Sequence, residues 1–202
     1  MEDLIIATRN PQKTREFARL FGSEFHVRDL AAEADLPEVI ESGASFEENA
    51  RLKALVVSSA VPGLVLADDS GLEVDSLGGA PGIFSARYAG ESATDAQNRQ
   101  KLLRALAQLP SGERRTARFR CALALARASE LIAQFKGVVE GEIVARERGA
   151  AGFGYDPIFR PLGREQTFAE MSAEEKDRLS HRGAAVAELL EFLRRSDSAA
   201  NQ

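Results

Sequence analysis

Two adjacent carboxylates, Asp68 and Asp69, close the apolar run Leu64-Val65-Leu66-Ala67. That run has the length and branching of a buried strand, and in an open α/β sheet ligands bind at the carboxyl ends of strands. Neighbouring carboxylates repel one another, and a divalent cation relieves the repulsion. Ser70-Gly71 is expected to turn the chain. Gly78-Gly79-Ala80-Pro81-Gly82 forms a second loop whose backbone amides can approach a ligand closely. Arg87 follows as a partner for phosphate. Taken alone, the aspartate pair also reads as a solvated surface turn; the glycine loop and the arginine shift the balance toward a metal-phosphate site.

The elements that must position these groups follow from the apolar pattern. Leu4 to Ala7 reads as a short strand, after which Thr8 to Asn10 lead into a helix with Pro11 at its first position and Gly22 beyond its end. Backbone amides at that helix start, with Thr8, Asn10 and Lys13, suit a phosphate cradle. The spaced glycines of a Walker loop are missing, and a merely well-capped helix fits the same residues. Phe25 to Val27 is a second strand, and residues 33–42 are polar and irregular, with Pro37, Glu38 and Glu41. Ser45-Phe46-Glu47-Glu48 is a capping box for a helix reaching about Ser59, with Asn49 and Lys53 on one face.

Farther on, Thr94-Asp95-Ala96-Gln97 opens a helix that ends at Pro110, and Ser111 to Arg115 is a loop. Strands are expected over 116–127, 131–135 and 138–145, with Ala128-Ser129-Glu130 as the turn of a long hairpin. A glycine-rich loop, Gly149 to Gly154, leads into Phe153-Gly154-Tyr155-Asp156-Pro157. Aromatics and an acid on flexible backbone suit a flat base, by stacking and edge hydrogen bonds, although core-and-turn packing is the commoner use of such residues. Ser172-Ala173-Glu174-Glu175 is another capping box and places Lys176 in the first turns of a helix. Ser180-His181-Arg182-Gly183 interrupts that helix or caps the next, whose Val186, Leu189, Leu190 and Leu193 face a core. A His-Arg pair in such a place is most often surface capping.

At 202 residues, with 44% hydrophobic content, the chain suits a single domain, residues 1–195, that buries a sizeable core, followed by a frayed polar tail, 196–202. A net charge of −5 without any basic block argues against a nucleic-acid duplex as partner. The single cysteine, Cys121, excludes an internal disulfide and sits in an apolar run, which makes it structural. The acidic start and the lack of any apolar run near twenty residues predict no signal peptide, no membrane span and a cytoplasmic protein.

The stretch ADDSGLEVDSLGGAPGIFSARYAG resembles the signature of the inosine/xanthosine triphosphate pyrophosphatase family. Three more blocks match in the family's order: Thr8-Arg9-Asn10-Pro11-Gln12-Lys13, Gly152-Phe153-Gly154-Tyr155-Asp156-Pro157 and Ser180-His181-Arg182-Gly183. The resemblance implies an α/β fold, a long curved mixed sheet flanked by helices, in two lobes with the active-site cleft between them. It implies hydrolysis of non-standard purine triphosphates (dITP, ITP, XTP) to the monophosphate and pyrophosphate, with Mg²⁺ as cofactor and Mn²⁺ as a substitute. Asp69 is then the base, with Asp69, Glu41 and Asp68 at the metal. Glu41 on sequence alone would be an ordinary exposed glutamate. Substrate would be held by Thr8, Arg9, Asn10, Gln12, Lys13, Lys53, Ser70 and Arg87. Phe153, Gly154, Tyr155, Asp156, Lys176, His181 and Arg182 would form the base pocket.

The family is typically homodimeric. Arg9 and Asp177 depart from its pattern without removing a motif residue: Arg9 adds positive charge near the phosphates, and Asp177 follows Lys176 where asparagine is frequent. Two other classes stay open. A nucleotide-binding regulator would not need the aspartate pair, and a pyrophosphatase for modified pyrimidines would need a different base-reading loop.

Overall fold

The computed structural model describes residues 2–32, 36, 39–110 and 112–200. Pro37, Glu38, Ser111 and the last two residues of the expected tail lie outside the described residues. In chain order the elements are β1 (Glu2–Ile6), α1 (Pro11–Phe21), β2 (Phe25–Asp29), α2 (Phe46–Ala60), β3 (Leu64–Val74), α3 (Asp95–Ala107), β4 (Thr116–Arg127), β5 (Glu130–Ile143), β6 (Phe159–Pro161), α4 (Ala173–Leu179) and α5 (His181–Ala200). The strands form one sheet in the order β2-β1-β3-β4-β5-β6. β1 runs parallel to β2 and to β3, with Leu4, Ile5 and Ile6 opposite Leu64, Val65 and Leu66, whereas β5 and β6 are antiparallel. The fold is therefore α/β with a mixed sheet flanked by helices. Among the described residues no helix is long and apolar enough to cross a membrane.

The chain divides into two compact units, one of Met1–Asp69, Cys121–Gly137 and His181–Gln202, the other of Ser70–Arg120 and Val138–Ser180. In the first, alternate residues of three strands share a face: Leu4 and Ile6, Leu64 and Leu66, and Cys121, Leu123 and Leu125. Phe17 and Phe21 of α1 and Ala185, Val186 and Leu189 of α5 complete that core. In the second, Leu72 and Val74 of β3 pack with Leu102 and Leu106 of α3 and with an aromatic group in which the Phe119 ring lies 4.7 Å from that of Phe159.

Two local expectations are corrected. β3 does not stop at Ala67; it runs through Asp68-Asp69-Ser70-Gly71 to Val74, because Leu72 and Val74 continue the buried pattern that a turn would interrupt. The two strands expected over 131–145 are one, β5, with Gly137 inside it. A Cβ there would sit 2.0 Å from the His181 carbonyl oxygen and 2.7 Å from the Ala185 nitrogen, so the glycine lets the start of α5 lie against the strand. α5 extends through residues 196–200. The hairpin turn is the two residues Ala128 and Ser129, at φ 50° and 66°, the primed geometry that matches strand twist.

The caps follow their sequence signals. Thr94 with Gln97 and Ser172 with Glu175 form reciprocal boxes at α3 and α4. At α2 Ser45 caps Glu48, but the Glu48 carboxylate accepts from the Ala44 amide instead of closing the box.

Candidate active site

Asp68 and Asp69 sit in the middle of β3, and neighbours on a strand point to opposite faces. They therefore meet different helices. Lys13 of α1 places Nζ 2.8 Å from Asp68 Oδ2, and Arg182 of α5 places Nη2 3.1 Å from the same oxygen. The Cys121 thiol donates to Asp68 Oδ1 at 3.3 Å. Arg182 also pairs with Glu16 of α1 through Nη1. Burial alone would raise the Asp68 pKa, but the Arg182 and Lys13 cations hold it well below 3.8. Burial is likewise the chief reason the Cys121 thiol stays protonated, its pKa pushed well up.

On the other side, Lys53 of α2 donates to Asp69 Oδ1 at 3.0 Å, to the main-chain oxygen of Asp68 at 2.7 Å and to Glu41 Oε1 at 3.1 Å. Asn49, one turn earlier and fully buried, donates to Asp69 Oδ2 at 3.3 Å while its Oδ1 accepts the Gly43 amide at 2.8 Å. The second bond fixes which way the amide faces. Burial raises the Asp69 pKa; Lys53 opposes it and Glu41 adds to it, and the net shift is upward. Burial disfavours the Lys53 charge, yet Asp69, Glu41 and Asp68 outweigh it and raise the Lys53 pKa. Of two adjacent aspartates, one is a locked anion and the other accepts a proton more readily than usual.

Among the described residues no three His, Cys, Asp or Glu side chains gather to hold a metal ion. Asp68, also expected at the metal, has both oxygens engaged by Lys13, Arg182 and Cys121. Glu41 and Asp69 converge on one ammonium, and hard oxygen donors of this kind suit Mg²⁺ or Mn²⁺, which are held by one or two carboxylates and several waters. The pair fits a divalent cation.

The start of α1 is capped from within. The Asn10 amide bonds to Thr8 Oγ1 at 3.1 Å, and Asn10 Oδ1 accepts from the Gln12 and Lys13 amides at 2.9 and 3.4 Å. Arg9 donates to the Leu36 carbonyl at 2.9 Å. Thr8, Asn10 and Gln12 thus build the cap, and Lys13 is the member of this block that reaches the acidic cluster. Arg182, expected in the base pocket, is 2% exposed and joins Glu16 to Asp68. His181, also buried, is the first residue of α5 beside it.

In the second unit a separate group forms around Asp156. Its Oδ2 accepts the Phe153 amide at 2.8 Å and Lys176 Nζ at 2.6 Å, and that ammonium lies 5.0 Å from the centre of the Phe153 ring. Gly152, at φ +73°, has no room for a side chain, since a Cβ would be 2.0 Å from Asp156 Oδ2. Phe153, Gly154, Asp156 and Lys176 are brought together. Tyr155 is not among them: its ring is buried in the core and its hydroxyl donates to the Ser85 carbonyl at 2.8 Å, so for this residue core-and-turn packing is what the structure has. Ser70 follows Asp69 along β3. Arg87 ends the 3-10 turn Gly82–Arg87, with its guanidinium 5.4 Å from the Phe84 ring centre and Nε 3.7 Å from Glu91.

Glu16 and Asn49 belong to these clusters although no family-matching block contains them. A signal existed for both. Glu16 follows Lys13 by three residues on α1, and Asn49 precedes Lys53 by four on α2, so each shares a helical face with a lysine of the cluster.

Residues 4–192 match the Ham1 family. The chain is 48% identical over 190 residues to the dITP/XTP pyrophosphatase of Geobacillus kaustophilus, covering 94% of this chain and 93% of that protein. It is 46% identical over 194 residues to the dITP/XTP pyrophosphatase of Bacillus subtilis, covering 96% and 98%. Among solved structures, the Staphylococcus aureus Ham1 protein superposes with a TM-score of 0.83 at 40% identity, over 96% of this chain and 100% of that one. A HAM1 protein from Coxiella burnetii gives 0.85 at 39% identity with the same coverage.

Proposed function

The chain belongs to the Ham1 family, and from that membership we propose that it hydrolyses the non-standard purine triphosphates dITP, ITP and XTP to the monophosphate and pyrophosphate. The observation that carries this reading is Asp69: a buried carboxylate with a raised pKa, held by Lys53 and Asn49, beside a second acid, Glu41. Asp69 orients the attacking water and takes its proton. Lys13 and Lys53 hold phosphate oxygens, with Ser70 and Arg87 as further contacts. Asp69 and Glu41 would hold Mg²⁺, or Mn²⁺ in its place, which when bound neutralises charge on the triphosphate. Asp68 keeps Lys13 and Arg182 in place.

The base is taken by Phe153, which stacks on it, and by Lys176, whose ammonium Asp156 aims. We further propose that residues 1–195 act as a single catalytic domain, as a homodimer, in the cytoplasm, without a nucleic-acid duplex as partner. Clearing such triphosphates would prevent their incorporation into DNA and RNA. The test is pyrophosphate release across dITP, ITP, XTP, GTP and ATP. Fast release from the first three and slow release from ATP is expected, and equal rates on all five would overturn the reading.

A further inference from the structure

Two side chains on α3, outside every block assigned to the site, hold both peptide groups of Gly154. Asp95 Oδ2 accepts the Gly154 N–H at 2.7 Å, and Arg99 Nη1 donates to the Gly154 carbonyl at 2.8 Å. They are spaced i, i+4 and so share one helix face. Arg99 is itself held by Glu147: Nη2 donates to Oε2 at 3.1 Å, and Nε lies 3.0 Å from Oε1 as an ion pair without hydrogen-bond geometry. Gly154 stands at φ +58°, the left-handed region, where glycine carries no steric cost.

The consequence falls on Phe153. Its own N–H is bound by Asp156, and the peptide that follows it is bound by Asp95. With both flanking peptide groups held, the direction of its Cα–Cβ bond is set before any ligand arrives. A ring placed in advance contributes stacking without an ordering cost at the moment of binding.

We propose that Asp95 and Arg99, braced by Glu147, are positioning residues for base selection: they clamp the Gly154 peptide and thereby fix the Phe153 ring against the purine. The inference rests on the proposed function, and in particular on Phe153 meeting the base. Neither Asp95 nor Arg99 touches substrate.

The experiment compares kcat/KM for dITP and dATP in wild type, Phe153→Ala, Asp95→Ala, Asp95→Asn and Arg99→Met, with melting temperatures as a check on folding. Asp95→Ala and Arg99→Met should lower the dITP:dATP ratio about tenfold, mainly through KM for dITP. Asp95→Asn keeps an acceptor for the Gly154 amide and should return the ratio toward wild type, a rescue that a merely structural role would not produce. Should either disruptive variant fail to fold, Glu147→Gln loosens Arg99 without altering α3 and carries the test. A ratio that falls in Phe153→Ala but holds in the α3 and Glu147 variants overturns the clamp and leaves the proposed function standing. No preference for dITP in wild type, or an unchanged ratio in Phe153→Ala, overturns the base-loop reading and the clamp with it.

Discussion

Lys53 Nζ lies 3.0 Å from Asp69 Oδ1, so the middle of α2 is tied to the middle of β3 at an acid whose pKa burial raises. Removing that acid's charge should stop the chemistry and spare the fold. Asp69→Asn keeps the shape, and Lys53 retains Glu41 and the Asp68 main-chain oxygen. Turnover of dITP should fall by roughly 10²–10⁴, the usual span for loss of a general base. A folded Asp69→Asn protein that releases pyrophosphate within a few-fold of wild type would remove Asp69 from the mechanism.

Arg182 is expected to fail a different test from the one its sequence block suggests. Breaking a buried pair from one side leaves an uncompensated charge, at a cost of about 3–5 kcal/mol. Arg182→Met takes the guanidinium away from both Glu16 and Asp68, and Lys13 still faces Asp68, so a markedly lower melting temperature is expected, with the dITP:dATP ratio of the folded fraction unchanged. Wild-type melting combined with a collapsed ratio would return the guanidinium to base reading.

The pH dependence of stability follows from the same pair. Burial would raise the Asp68 pKa, but Arg182 and Lys13 hold it well below 3.8. The unfolded chain then binds the proton more readily than the folded one, so Asp68 contributes stability above 3.8 that is lost as pH falls through the folded value. Asp69 has the opposite sign, because its raised pKa lets the folded form bind the proton first. Calorimetry on wild type should show the melting temperature dropping below pH 3.8, and Asp68→Asn, already less stable at neutral pH, should drop less steeply. Parallel curves would exclude Asp68 as the acid-labile group.

Much of this was legible in the sequence because caps and periodicity are local. Ser45, Thr94 and Ser172 each stand where their helices begin, and the hairpin turn sits at Ala128-Ser129. The errors came where tertiary packing overrode a local signal. Ser70-Gly71 reads as a turn, yet Leu72 and Val74 have a core to fill and keep the strand continuous. Arg182 reads as an exposed cap, and only the return of α5 to Glu16 and Asp68, distant in sequence, makes it the centre of a buried ion network. Tyr155 shares a block with Phe153, but no local rule says which of two neighbouring rings faces inward.

Metal dependence should divide the two acids that converge on Lys53 from Asp68. EDTA is expected to abolish turnover and Mg²⁺ to restore it, with Mn²⁺ as a substitute. Glu41→Gln should raise the Mg²⁺ concentration needed for half-maximal activity by about tenfold or more, the usual scale for losing one supporting group. Full activity after exhaustive chelation, or an unchanged Mg²⁺ requirement in Glu41→Gln, would contradict the assignment of Glu41 and Asp69.

Base selection should depend on Lys176 in a way that donor and acceptor geometry dictates. Hypoxanthine and xanthine present an oxygen at C6, an acceptor, where adenine presents an amino group, a donor. A lysine ammonium can only donate. Asp156 accepts Lys176 at 2.6 Å and so directs the ammonium, which also lies 5.0 Å from the centre of the ring proposed to stack on the base. Facing O6 the ammonium gains a hydrogen bond; facing the adenine amino group it meets another donor. A site built to bond one group can reject the analogue lacking it by up to about 10⁴–10⁵. Lys176→Met should therefore lower kcat/KM for dITP steeply and leave the slow dATP reaction almost unchanged, so that the ratio falls from above rather than rising from below. The measurement is kcat/KM for both nucleotides in both proteins. A variant that keeps its preference for dITP would show that O6 is recognised elsewhere, whereas a gain in dATP turnover would mean that Lys176 acts by repelling adenine rather than by binding the oxygen.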